Sequence, residues 1–255
     1  MRAWAIFKKE LRVYFSSPIA YAVLAIFSMI TGYFFSAVFD FYVKASMQAA
    51  MNPMAARDFS IIDGVLRPLF QNISVIMLLV MPILTMRLFS EEKKSGTIEL
   101  LLTYPVRDGE VLFGKYLAAL AVFASMLVLT LAYPLLMAWV TPLEWGPLAT
   151  GYLGLLLQGA AFIAIGILIS SLTENQIVAA VATFGTLLMF WVIAWASDSA
   201  GGVLGRVLSH LSLTEHADSF WKGVIDTKDL IYYLDLTILA LFLTLRSLDS
   251  KRWRG

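Results

Sequence analysis

The sequence predicts an all-helical membrane bundle of six spans, preceded by an amphipathic helix. Three observations carry that prediction. Hydrophobic residues make up 60% of the chain and charged residues only 15%, far from the balance of a water-soluble domain. The apolar residues gather into six runs of about 20, the length a helix needs to cross about 30 Å of hydrocarbon. The charges gather between those runs, above all in Arg87–Lys115, which holds five bases (Arg87, Lys93, Lys94, Arg107, Lys115) and five acids (Glu91, Glu92, Glu99, Asp108, Glu110).

Residues 1–17 form the first element. At helical spacing Trp4, Phe7, Leu11, Tyr14 and Phe15 share one arc, with Arg2, Lys8, Lys9 and Arg12 mostly opposite. Such a helix lies along the headgroup plane, apolar side down. The following apolar run is too long for a signal peptide and no A-x-A-like site ends it, so an uncleaved anchor is expected. Ile19–Phe39 is then the first span, and Asp40–Arg67 a mixed polar connection. Leu69–Met86 is the second span, with Pro82 placed to kink it. Tyr116–Val140 is the third, and Thr141–Pro147 a tight turn with two prolines. Leu148–Leu172 is the fourth, joined by Thr173–Gln176 to the fifth, Ile177–Ala196. Ser197–Asp229 is a longer polar stretch and Leu230–Leu248 the last span. The whole chain, 1–255, reads as one membrane domain.

The charged stretch between spans two and three has the grammar of a short docking element. Ser95-Gly96 is placed to break the helix leaving the membrane, because glycine accepts the backbone angles a helix end needs. Thr97 caps a new turn, Ile98–Thr103, and Tyr104-Pro105 ends it. Asp108 is the expected N-cap of the next helix. Leu100, Leu101 and Leu102 would face lipid headgroups or a protein groove. Charges of both signs held in so compact a frame suit a soluble partner.

An acidic pair, Ser-Gly, a leucine-rich turn, proline, and Gly-Lys at the head of the next span resemble the first cytoplasmic loop of ABC-2 type transporter permeases. The likeness is closest to the gliding-motility-associated branch. It extends to SSPIAY at 16–21, RPLF at 67–70, GVIDTKDLIYYL, and SLDSKRW near the end, while Tyr104 stands where similar sequences carry a small residue. The resemblance implies a type V exporter-like permease that works as a dimer, with a second copy or a homologous permease and two copies of a separate ABC ATPase. It implies re-entrant helices in Ser197–Asp229 and a path near spans two and five. The ATPase-coupling residues would be Arg87, Glu91, Glu92, Lys93, Lys94, Gly96, Glu99 and Arg107, with Glu174 as a lesser contact. ATP and magnesium would be bound by the ATPase, so no cofactor, metal site or catalytic residue is expected in this chain. The expected location is a bacterial inner membrane, among lipid, with a periplasmic accessory protein as a further partner and no nucleic acid.

The distribution of bases orients the spans. Thirteen Lys and Arg fall on the side of the two termini and the charged loop, against six on the other, so that side is expected to be cytoplasmic. Trp139, Trp191 and Trp195 near the opposite span ends suit an interfacial aromatic belt. Gly151, Gly154, Gly159, Gly166 and Ser170 in the fourth span would let helices approach closely.

Other functions are weighed on the same residues. Gly109-x4-Gly114-Lys115 matches a phosphate-binding loop until Tyr116, where the hydroxyl for magnesium belongs, and no strand precedes it. The absence of cysteine removes disulfides, thiolate metal sites and a cysteine nucleophile. His210 and His216, near Glu215 and Asp218, fit no zinc spacing and read as part of an interfacial helix striped by Val203, Leu204, Val207, Leu208 and Leu211. Met47, Met51 and Met54 suit an interfacial helix as well as they suit copper. No G-x-S-x-G or H-E-x-x-H supports a membrane-embedded hydrolase. Asp235, within the last span, is a candidate intramembrane functional group, set against a simpler place at the outer interface. Three functional classes lead: an ATP-driven export permease, a relay passing ATP-driven motion to a periplasmic machine, and a static anchor; a membrane-embedded enzyme is the remote alternative.

Overall fold

The computed structural model describes residues 2–51, 60–97, 107–139 and 141–252. Among them there is no strand. Helix α1 (Arg2–Ser16) precedes α2 (Pro18–Met51); a π turn (Ile62–Leu66) leads into α3 (Arg67–Thr85), followed by α4 (Arg87–Lys94). Then come α5 (Asp108–Thr130), α6 (Ala132–Ala138), α7 (Trp145–Leu172), α8 (Gln176–Ala200), α9 (Gly202–Leu211), α10 (Leu213–Trp221) and α11 (Thr227–Arg252). Among the described residues six helical stretches are long and apolar enough to cross a membrane.

The bundle has a centre and a rim. The most apolar windows of the α3 and α7 stretches are 72% and 67% buried, while those of α2, α8 and α11 are 11%, 17% and 17% buried. Helix α7 is the hub because it carries glycine where its neighbours arrive. A Cβ at Gly151 would sit 2.1 Å from the Phe70 ring of α3, and one at Gly159 2.0 Å from the Phe123 ring of α5. At Gly166 it would meet Thr85 at 2.1 Å, and at Gly154 Phe220 of α10 at 2.5 Å. Small residues thus set the helix separations, as packing in lipid favours. The rim helices turn Met29, Tyr33, Val181, Met189 and Ile238 outward, which a bilayer covers.

Several boundaries differ from expectation, each for a physical reason. The first span runs past Phe39 to Met51, because an Ala- and Met-rich segment favours helix and Asp40 pairs with Lys44 one turn on, at 2.6 Å. The third begins at Asp108 instead of Tyr116, since Lys115 finds buried partners and need not stay in a loop. It breaks at Leu131, one turn before Pro134, whose missing N–H leaves the Thr130 carbonyl without its helical donor; α6 resumes beyond. The N-cap of α5 is Arg107, one residue earlier than expected, with the Glu110 carboxylate accepting its N–H at 3.1 Å.

Within the stretch expected to be polar, α8 continues to Ala200 and stops at Gly201 and Gly202, both with positive φ near 60°. Helix α9 packs on α8, and α10 on α7. The predicted stripe on α9 is helical, and Val203, Leu204, Val207 and Leu211 face outward, as the stripe of an interfacial helix would. The expected turn at Ile98–Thr103, with Glu99, Tyr104 and Pro105, lies outside the described residues, as do Met54 and Arg57.

Candidate functional site

The α4 helix exists because the chain is reset at Met86. Pro82 accepts the Met86 N–H at 2.9 Å, and the ladder then restarts at Arg87. Ser170 of α7 fills the break: its hydroxyl accepts the N–H groups of Phe89 and Ser90, at 3.1 and 3.2 Å, and donates to the Met86 carbonyl at 3.0 Å. A helix start ordinarily leaves such N–H groups without partners; here a side chain from another span supplies one acceptor for two of them. The Ser90 hydroxyl also donates to Met86.

The other end of α4 is fastened too. Lys93 is buried, and its ammonium donates to the Ser171 carbonyl near the end of α7. A cation belongs there, where a helix leaves unpaired carbonyls and partial negative charge. Ser95 follows, and Gly96, with φ 70°, turns the chain away as expected.

The inner face of α4 meets α1 and α5 through a buried ionic joint. Lys115 of α5, whose side chain is 2% exposed, lies 2.7 Å from Glu92 of α4 and 3.1 Å from Glu10 of α1. Its ammonium also stands 5.3 Å from the centre of the Phe89 ring, an attraction that strengthens out of water. Lys9 closes the group from the surface, 2.8 Å from Glu10 and 3.6 Å from Glu92. Burial pushes the Glu10 carboxyl up, but Lys115 and Lys9 outweigh it and hold the group below its ordinary range. One turn along α1, the Tyr14 hydroxyl donates to the Leu84 carbonyl at 2.7 Å; burial raises that phenol far above its usual range. Gly114 lets α1 come this close, since a Cβ there would lie 2.8 Å from Ile6. The apparent phosphate-binding motif is therefore a crossing point followed by a buried cation, both inside helix α5.

The predicted coupling residues sort into two sets. Glu92 and Lys93 turn inward, into bonds between helices. Arg87 and Glu91 form an i,i+4 pair at 2.9 Å on the outer side of α4. Lys94, Gly96, Arg107 and Glu174 are exposed. Glu174 lies in the turn between α7 and α8, beside Asn175, whose side chain caps α8 by accepting from Ile177 at 2.9 Å. Helix α4 rests against both α7 and α8, so this turn and the α4 tip belong to the same end of the bundle. Glu99 lies outside the described residues.

Sequence reasoning places Tyr14 on the apolar arc, Lys115 among the loop bases and Ser170 in close packing, but missed the bonds they make, and it missed Glu10 altogether. Two of them left a trace: Glu10 is the one acid among the four bases of residues 1–17, and Lys115 follows a glycine at a span start.

The opposite end carries a second set of pairs. Asp218 of α10 accepts from Arg67 of α3 at 2.6 Å and pairs with Lys222 at 2.5 Å. His216 is buried, stacked on Tyr232 at 4.0 Å, with Nδ1 2.7 Å from Asp229 and Nε2 3.2 Å from the His210 carbonyl. The histidine predicted to lie along an interfacial helix is thus packed into the junction of α10 and α11. No third carboxylate or imidazole converges there among the described residues. Asp235 faces outward from α11 among Ile231, Leu234, Ile238 and Leu239.

Against known families, residues 4–244 match the model described as ABC-2 family transporter protein. No curated protein matches the chain.

Proposed function

Since this chain belongs to the ABC-2 family of transporter proteins, we propose that it is the permease subunit of an ABC transporter, moved by a separate ATPase that docks at the α4 tip and the α7–α8 turn. One observation carries the reading: α4 is exposed and charged on its outer side while its inner side is tied to three other helices. Glu92 holds α1 and α5 through Lys115, and Ser170 and Ser171 hold α7. A displacement of Glu91, Lys94 and Gly96 by a docked protein is therefore a displacement of α1, α5 and α7 together. No nucleotide chemistry is assigned to the chain, because Gly114 and Lys115 are both used in helix contacts.

In this reading two permeases and two ATPases assemble, both termini lie in the cytoplasm of a bacterial inner membrane, and ATP-driven closure of the ATPases drives export of an unidentified substrate. A relay of the gliding-motility kind would use the same coupling and differ only in what the spans move. Assay of ATP-dependent substrate movement in sealed vesicles separates the two.

Docking is tested by reversing the outward charges alone: Glu91→Lys, Lys94→Glu and Glu174→Lys together. Glu92 stays untouched because its reversal would break the buried joint. The variant is expected to insert normally, yet to lose copurification of the ATPase and stimulation of its turnover, since reversed interfacial charge costs a few kcal/mol. Glu144→Lys with Asp226→Lys, at the other end, is the control. Wild-type binding and stimulation in the triple variant would sink the docking assignment.

A further inference from the structure

Beside the buried joint lies a crevice of about 300 Å³, enclosed by α1, the first turns of α2, the end of α3, α4 and α5. It is polar at one end and apolar at the other. Three cations, Lys9, Arg87 and Lys115, and three carboxylates, Glu10, Glu91 and Glu92, stand at the polar end. Val13, Ala20, Val23 and Leu84 line the apolar end. The amphipathic α1 forms one wall, so the polar end sits at headgroup depth and the apolar end at the depth of the first acyl carbons.

We propose that this crevice binds one amine-headed zwitterionic phospholipid from the leaflet in which α1 lies. Its phosphate faces Lys9 and Arg87, its ammonium faces Glu91 and Glu92, and an acyl chain leaves along Val13, Ala20 and Val23. Charge complementarity selects the headgroup. The wall is neutral, three charges against three, so an anionic lipid would bring an uncompensated charge beside three carboxylates, whereas a zwitterion brings none. The carboxylates then distinguish between zwitterions. They accept N–H donors, which a primary ammonium has and a quaternary one lacks. Glu92 stands behind with its Oε1 held by Lys115 at 2.7 Å, so the acceptor that an incoming ammonium meets first is Glu91. Glu91 stands half exposed at the rim, and the Lys9 side chain is 57% exposed there. The inference is independent of the ATPase and of any cargo.

The test is native mass spectrometry of the full chain, released from detergent after titration with phosphatidylethanolamine, phosphatidylcholine or phosphatidylglycerol of identical acyl chains. One phosphatidylethanolamine per chain is expected to survive, held about tenfold more tightly than either other lipid, the effect of one charge-assisted hydrogen bond. Lys9→Ser with Glu91→Gln, both at exposed positions, is expected to erase that preference. Equal retention of the three lipids, a preference for the anionic one, or a preference that survives the double substitution would each overturn the proposal. The wild-type comparison alone decides the headgroup, whatever the variant's folding.

Discussion

The two ends of the bundle are both closed by charge, but they are built differently. At the α4 end the cation is a lysine with a 2% exposed side chain, and its two carboxylates come from residues 105 and 23 positions away. At the other end the Arg67–Asp218 pair stays about a quarter exposed, and the buried pair is His216 with Asp229. The first joint spans three elements and needs every member, because a charge removed from water is tolerated only beside its partner. The second is divided: a wet part ties α10 to α3 and a dry part ties α10 to α11. One end is tied into a single joint, and the other is built from separable contacts.

The sharpest break of that contrast is Lys115→Met, which keeps the length of the side chain and leaves Glu10 and Glu92, two carboxylates, to share the half-exposed Lys9. It is expected to cost about 3–5 kcal/mol, the usual cost of leaving a buried charge unpaired. SDS titration of the purified chain, followed by helical ellipticity, measures it. Adding Glu10→Gln and Glu92→Gln removes the surplus charges and should restore most of the loss. No recovery in the triple variant would mean that Lys115 acts through packing alone.

His216→Phe is the counterpart at the other end. It preserves the stack on Tyr232 and leaves the Asp229 carboxylate, 1% exposed, with neither oxygen bonded, since Oδ2 already has no partner among the described residues. A loss of about 2–3 kcal/mol is expected. Because only α10 and α11 share this pair, hydrogen exchange should quicken there and stay unchanged in α4 and α5. Quickening throughout the bundle would erase the distinction between the ends.

What the sequence disclosed follows from which forces are local. The spans were legible because an apolar run of the right length is a one-dimensional signal, and Gly96 was legible because a helix end needs a residue tolerant of positive φ. The glycines of α7 could be assigned to close packing, though not to Phe70, Phe123 or Thr85, since partners are set by the fold. Glu92 and Lys93 could not be told from Glu91 and Lys94. All four read as loop charges, and only the placement of α1, α5 and α7 decides which are buried. Ser170 capping α4 across 80 residues left no trace in the order of residues. The pairing of His216 with Asp229 was hidden by nearer acids, Glu215 and Asp218, that compete for attention at short range.

Acid sharpens the contrast, with a smaller effect because it discharges one carboxylate. Glu10 is held below its ordinary value of 4.5 in the folded chain. Its contribution is therefore full above that value and lost as the pH falls through the lower folded one. Lys9 is shifted the other way: burial lowers it, but Glu10 and Glu92 outweigh burial and hold it above 10.5. Its contribution is full below 10.5 and lost only as the pH rises through the folded value. The contribution of these two groups should be level between those limits and fall on either side, with the acid fall belonging to Glu10. The acid shoulder should shrink in Glu10→Gln and persist in Asp218→Asn; a shoulder unchanged in Glu10→Gln would place the titrating group elsewhere.

The smallest effect belongs to Asp218→Asn, and its smallness is the point. Asp218 Oδ1 accepts from Arg67 at 2.9 and 2.6 Å. Asparagine keeps that oxygen and loses only the charge. Arg67 still has Asp63 at 3.8 Å, and Lys222, about half exposed, can turn to water. The expected loss is about 0.5–1 kcal/mol, the range of exposed pairs. Salt separates it from the joint at the other end. At about 1 M ionic strength the screening length falls to about 3 Å, so the difference between Asp218→Asn and wild type should nearly vanish. The Lys115→Met deficit should remain, because no salt reaches a dry charge. A loss at Asp218 as large as that at Lys115, or one indifferent to salt, would show that the Asp218 pairs also bear on desolvated charge, and the two ends would then be built alike.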